Sequence, residues 1–283
     1  MCETARMSKT IAALAVDQED AQRTYDDGDW TRAAARWRAI AGATASYTAM
    51  RAFLMAGCAH ARNGDLDDAF AMLGEALTAQ AVPLDELETD RALEAVRGDS
   101  RWPGFMVRAA EVFAAWEATL GHPKLRRELL RLRQEDQAVR IDAASNATAA
   151  EGFLAVDRRT AARMREIVAA HGWPGISLVG HDGAAAAWLI VQHATHDRAF
   201  QEQCLVRLRE AVGPGEAEPR HVAYLEDRLA VTAGRPQRYG TQFDDRLEPK
   251  PIEDEEHLDE RRRAVGLSSM AAYTRQIRKR FSR

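Results

Sequence analysis

The residues best suited to chemistry lie in the second half of the chain. Gln192-His193 falls near the end of an almost wholly apolar stretch, residues 184–195, and His196-Asp197 follows at once. A histidine there can act as a general base or a ligand, because its ordinary pKa lies near neutrality. It can equally be a core histidine held by a carbonyl or a carboxylate, since a buried polar group without a partner is costly. Spacing alone favours this plainer role. His193-x-x-His196 has the i, i+3 spacing that can begin a metal site on one helical face, and Glu135 and Asp136 could complete a carboxylate–histidine set. The His-Glu-x-x-His and paired Glu-x-x-His patterns of established sites are missing, so no metal ligand is assigned.

A second group follows. In Ala223-Tyr224-Leu225-Glu226-Asp227-Arg228, Tyr224 and Asp227 stand three apart, and Arg228 lies four beyond Tyr224. That spacing makes a site wall or a structural ion pair. Gln237-Arg238-Tyr239-Gly240-Thr241-Gln242 crowds hydrogen-bonding side chains around a glycine just after Pro236. Such a loop either carries function on a helical scaffold or pins helices through side-chain-to-backbone bonds. No P-loop, Gly-x-Gly-x-x-Gly or Gly-x-Ser-x-Gly pattern occurs, and no cofactor is predicted.

These residues need helices to position them. The apolar share is 46% and rich in alanine, while aromatics are only 7%, which favours helix over sheet. The fold class expected is all-α. In the second half, helices are expected over 124–141, with Leu125, Leu129, Leu132, Ala138 and Ile141 as its stripe, and over 157–171, with Met164, Ile167 and Val168 inward. Gly172-Trp173-Pro174-Gly175 breaks the chain, and 176–180 is expected to be a loop or helix lead-in. Helices then follow over 184–195, 198–212 and 221–232, and Ser268 is expected to cap a last one over 270–280.

The first half reads as paired helices. Asp29 is the expected N-cap of a helix whose Trp30, Ala33, Ala34, Trp37 and Ile40 share a face. Tyr25-x-x-Gly28-Asp29-Trp30-x-x-Ala33 recurs as Ala61-x-x-Gly64-Asp65-Leu66-x-x-Ala69. The spacing and small residues resemble tetratricopeptide repeats over roughly residues 10–80. Two repeats are fewer than a stable stack needs, so a short helix starting with Pro83-Leu84-Asp85-Glu86-Leu87 and another over 103–120 are expected to cap them, with Val107, Ala110, Val112, Phe113 and Trp116 of the latter available to pack. Charge supports a division near residue 120: residues 1–120 hold 12 Lys/Arg and 19 Asp/Glu, and 121–283 hold 27 and 24. The expected domains are therefore 1–120 and 121–283.

The net charge of −4 argues against nucleic acid, and no apolar run reaches the roughly 18 residues of a membrane span. Cys2, Cys58 and Cys204 are too few for a disulfide framework. With no signal-peptide pattern, a cytoplasmic protein is expected.

Five separate motifs, in order, resemble an uncharacterised bacterial domain family: Gly172-Trp173-Pro174, Gln192-His193, Ala223 to Arg228, Gln237 to Gln242, and Arg262-Arg263-Ala264-Val265-Gly266-Leu267. Asp136-Gln137-x-x-Arg140 fits its opening. The resemblance covers roughly residues 122–275 and implies a domain and a shortlist of residues rather than a reaction. On that shortlist His193, Asp227 and Tyr239 are the candidate catalytic residues, and Gln192, Arg228, Gln237 and Gln242 the candidate ligand contacts. The function expected is recognition of a small polar or anionic molecule, or a peptide, with scope for acid–base catalysis, while residues 1–120 contact a protein. The competing readings are a non-catalytic interaction scaffold and a metal-dependent helical enzyme.

Overall fold

In a computed structural model of the protein, residues 2–44, 46–79, 82–145 and 150–281 are described. The fold is all-α, and the described residues contain no β-strand. The chain divides into two units, residues 1–119 and 120–283.

In the first unit, α1 (Cys2–Asp26), α2 (Trp30–Ala43), α3 (Ser46–Asn63) and α4 (Leu66–Ala79) pack successively, α2 on α3 and α3 on α4 most closely. Gly28 and Gly64 close the two hairpins at φ 82° and 86°, a left-handed conformation that costs glycine least. Asp29 caps α2, its carboxylate accepting from the Arg32 N–H at 3.1 Å. Ala33, Ala34, Trp37 and Ile40 are buried as the helical face requires.

Three short helical segments follow: α5 (Leu84–Thr89), a 3-10 turn (Arg91–Leu93) and α6 (Glu94–Arg97). They lead to α7 (Trp102–Thr119). Trp102 already belongs to α7, because proline is tolerated in a first helical turn. The inward face of α7 differs from the expected one. Trp102, Phe105, Met106, Ala109 and Val112 pack on the core, whereas Val107 and Ala110 are exposed. Aromatic packing sets this rotation: Phe105 stacks on Trp102 and meets Phe70 of α4 edge-on.

The second unit is built on α8 (Pro123–Ser145), α9 (Ala150–His171), α10 (Ile176–His193), α11 (Arg198–Val212) and α12 (Pro219–Thr232), completed by α13 (Leu258–Ala264) and α14 (Met270–Phe281). Leu125, Leu129 and Leu132 of α8 are buried; Ala138 is exposed, and the Ile141 side chain lies outside those described. The lead-in at 176–179 is a helical turn, kinked from the rest of α10 at Gly180 with φ 73°. The closest helix pair of this unit is α8 with α10. Small residues permit it, since Gly183, Ala184, Ala186 and Ala187 are all buried. Across this contact Asp182 of α10 takes the buried Arg126 guanidinium of α8.

Residues 237–253 form a loop held by isolated bridges, Gln237 with Ile252 and Phe243 with Pro249. The cap of α14 is Ser269 rather than Ser268: the Ser269 hydroxyl accepts from the Ala272 N–H, while the Ser268 carbonyl is engaged by Arg262.

A Cβ placed on Gly183 would stand 2.9 Å from the Val179 Cβ and 3.3 Å from the Arg126 Cγ. Gly183→Val should therefore push α8 and α10 apart and destabilise the second unit by about 1–3 kcal/mol, read as a lower urea midpoint.

Candidate functional site

The α8–α10 contact sets a carboxylate against a histidine. Asp136 on α8 is fully buried, and its oxygens lie 2.8 and 3.0 Å from Nδ1 of His193, the last residue of α10. Gln137 donates to Asp136 at 2.7 Å, and Arg140, one turn further along α8, donates at 3.0 and 3.2 Å. The same Arg140 reaches Asp157 of α9 at 2.6 Å, and its guanidinium lies over the Phe153 ring. Burial works against the Asp136 charge, but hydrogen bonds from His193, Arg140 and Gln137 hold its pKa down at about 2. Asp157 moves the other way, because burial and the neighbouring Asp136 charge both raise it.

An ionised carboxylate can only accept hydrogen bonds, so Nδ1 of His193 carries the proton in this pair. In the neutral ring Nε2 then keeps its lone pair. Nε2 has no hydrogen-bond partner among the described residues and is not among the polar atoms sealed from solvent. The imidazole retains 17% of its surface. The helix end that carries it is fixed from α11: buried Gln201 donates to the Val191 and Gln192 carbonyls at 2.9 and 3.2 Å, satisfying acceptors that the end of a helix leaves open.

Gln192 faces α12, donating to the Tyr224 carbonyl at 3.2 Å. Arg228 lies one turn beyond Tyr224, and a helical side chain covers the turn before its own Cα. Arg228 is half-buried. Burial lowers its pKa, and the nearby Arg140 charge lowers it further. Among the described residues no carboxylate pairs with Arg228, and its Nε is sealed without a partner.

The structure does not bring the other predicted residues to His193. Asp227 is fully buried and occupied by the loop: it accepts from the Arg238, Tyr239 and Thr241 N–H groups at 2.7, 3.0 and 2.9 Å and from the Thr241 hydroxyl at 2.9 Å. Burial raises its pKa, and these donors oppose the rise. Gln237 is equally engaged, donating to the Gln242 and Lys250 carbonyls and accepting from the Gln242 N–H. The Gln242 side chain bonds Thr241. Tyr239 is half-buried with Arg238 over its ring. These motif positions therefore form one hydrogen-bonded staple, separate from the histidine–aspartate pair. Fully buried Arg262 closes it, donating to the Tyr239 and Ser268 carbonyls.

His196 is exposed in the turn after α10, so the i, i+3 pairing with His193 does not form on a helix. Glu135 points away to Arg159. Among the described residues no group of three or more His, Cys, Asp or Glu side chains could hold a metal ion, and no helix is long and apolar enough to cross a membrane. The residues that sequence reasoning missed are Arg140 and Asp157 as parts of one network. The i+4 spacing of Asp136 and Arg140 was readable; nothing local points from either to Asp157.

Residues 123–282 match DUF6624, a family of unknown function. The chain belongs to DUF6624. The matched span begins with α8, so it contains both the Asp136–His193 pair and the Asp227 staple. No curated protein and no solved structure matches the chain.

Two measurements follow from the two buried aspartates. Asp227→Asn puts an amide that can itself donate against four donors, and should cost about 2–3 kcal/mol of stability in urea denaturation. Asp136 has a folded pKa of about 2 against an unfolded value near 3.9, so its stabilisation is present above about pH 4 and is lost as pH falls towards about 2. The stability gap between wild type and Asp136→Asn should accordingly be widest above pH 4 and narrow on acidification below it.

Proposed function

We propose that this DUF6624 domain binds a small polar or anionic molecule, or a peptide, beside His193, and that His193 Nε2 serves as the acid–base atom. The observation that carries the proposal is the Asp136–His193 pair: a buried carboxylate holds Nδ1 while Nε2 stays unpartnered and open. In acid–base sites the same division of labour fixes the tautomer and stabilises the imidazolium that forms when Nε2 takes a proton. The first unit, with its tetratricopeptide-like hairpins, is assigned protein contact in this proposal.

The scaffold alternative draws support from a different place. Asp227, Gln237 and Gln242 are spent on internal hydrogen bonds, which is what structural motif residues do. The proposal therefore moves the chemistry away from Asp227 and Tyr239 and onto His193 with Asp136.

A thermal-shift screen of carboxylates, phosphates, nucleotides and short peptides on the full-length protein tests this. Compounds that stabilise wild type should lose at least about tenfold in affinity in His193→Gln, with the fold intact by circular dichroism. Ligand binding that is indifferent to His193→Gln would contradict the proposal. So would a screen without a binder in which His193→Gln lowers stability and does nothing else.

A further inference from the structure

Gln201 is a fully buried polar residue in the first turn of α11. Its Nε2 donates to two successive carbonyls near the end of α10, Val191 at 2.9 Å and Gln192 at 3.2 Å. Its own Oε1 is sealed from solvent without a partner. A buried amide oxygen without a donor is unfavourable, and a methionine of similar shape would fill the same space without that cost. What the amide contributes here, and methionine could not, is the pair of bonds from Nε2.

The last carbonyls of a helix have no intrahelical donor and need one from elsewhere. At the end of α10 most find it in the backbone. The Ile190 and Val191 carbonyls accept from the Ala194 N–H, the His193 carbonyl from the Thr195 N–H at 2.7 Å, and the Ala194 carbonyl from the Asp197 N–H at 3.0 Å. The Gln192 carbonyl takes only the Gln201 amide among the described residues. That carbonyl lies in the same rigid peptide plane as the His193 nitrogen, so holding it fixes the backbone from which the imidazole projects. His193 is thus held at two points, its backbone from α11 and its ring by Asp136 of α8.

Gln201 acts from a firm base. Its N–H donates to the Asp197 carbonyl at 3.1 Å, and the Asp197 carboxylate caps α11 by accepting from the Phe200 N–H at 3.1 Å. The same carboxylate takes Arg165 of α9, whose guanidinium lies 4.6 Å over the ring of buried Phe200.

We infer that Gln201 is a positioning residue for His193: by bracing the end of α10 from α11, it keeps the imidazole on Asp136 with Nδ1 inward and Nε2 outward. Its hydrogen bonds reach the backbone and not the ring, so it acts through the helix end. The inference rests on the acid–base reading proposed above and adds the residue on which the orientation of Nε2 depends.

Full-length protein with ¹⁵N-labelled histidines tests this through the ring-nitrogen resonances of His193. Gln201→Met removes both donated bonds while keeping the shape of the side chain. It should move the His193 signals from the Nδ1-protonated pattern towards that of exposed His196, with the helical circular dichroism retained. Gln201→Asn holds its amide one methylene short of the two carbonyls and should give the same shift in smaller measure; it is the variant to read if Gln201→Met does not fold. Asp227→Asn is the control for general destabilisation, since it weakens the separate loop staple and should leave the His193 resonances in place. A folded Gln201 variant whose His193 tautomer matches wild type overturns the inference, as does an equal shift in Asp227→Asn. The acid–base reading fails separately, through His193→Gln. A Gln201-dependent tautomer together with ligand binding indifferent to His193→Gln would keep the positioning role and remove the chemistry.

Discussion

The second unit is organised by one buried negative charge. Asp136 is removed from water entirely, and a carboxylate in that position is tolerable only with donors on several sides. Gln137 and Arg140 come from its own helix, and His193 comes from α10. That third donor arrives only because α10 lies tightly against α8, and α10 lies tightly because its middle is glycine and alanine. The packing and the electrostatics are thus one constraint. Loosening the helix pair would strand a charge, and removing the charge's partners would cost the pair about 3–5 kcal/mol. Asp157 enters through Arg140, which ties α9 into the same network.

A second buried carboxylate repeats the logic on α12. Asp227 gathers three backbone N–H groups and a hydroxyl, and so shapes a loop that has almost no regular structure of its own. Gly240 sits in that loop at φ 67°, where a Cβ would stand 2.8 Å from the Met270 Sδ. Arg262 then ties the loop to the start of α14 through two carbonyls. Tyr224 lies on the same helix as Asp227, and Gln192 of α10 donates to its carbonyl. The two aspartates divide the work, one holding Nδ1 of a histidine and the other fixing the loop that follows α12.

Much of the scaffold was legible in the sequence because it rests on local rules. The cap at Asp29, the glycine turns at Gly28 and Gly64, and the exact span of α11 follow from residue type and periodicity. The rotation of α7 was not legible, since Phe70, far away in sequence, decides which side of that helix faces inward. At the site, the Gln192-His193 pair and Asp136 could be picked out as chemically suited residues. Their meeting could not, because it depends on how closely two helices approach. The polar loop offered a pocket and a staple as equal alternatives. Side-chain composition cannot separate them, and only the count of satisfied donors and acceptors does. Asp227, Gln237 and Gln242 fall on the staple side of that count.

The tautomer of His193 tests the central claim most directly. Selective ¹⁵N labelling of the histidines, with two-bond imidazole correlations recorded at about pH 9, reports which ring nitrogen carries the proton. A protonated Nδ1 and a bare Nε2 are expected for His193 in wild type, with that preference lost in Asp136→Asn. A His193 protonated on Nε2, or one whose tautomer is indifferent to Asp136→Asn, would contradict it.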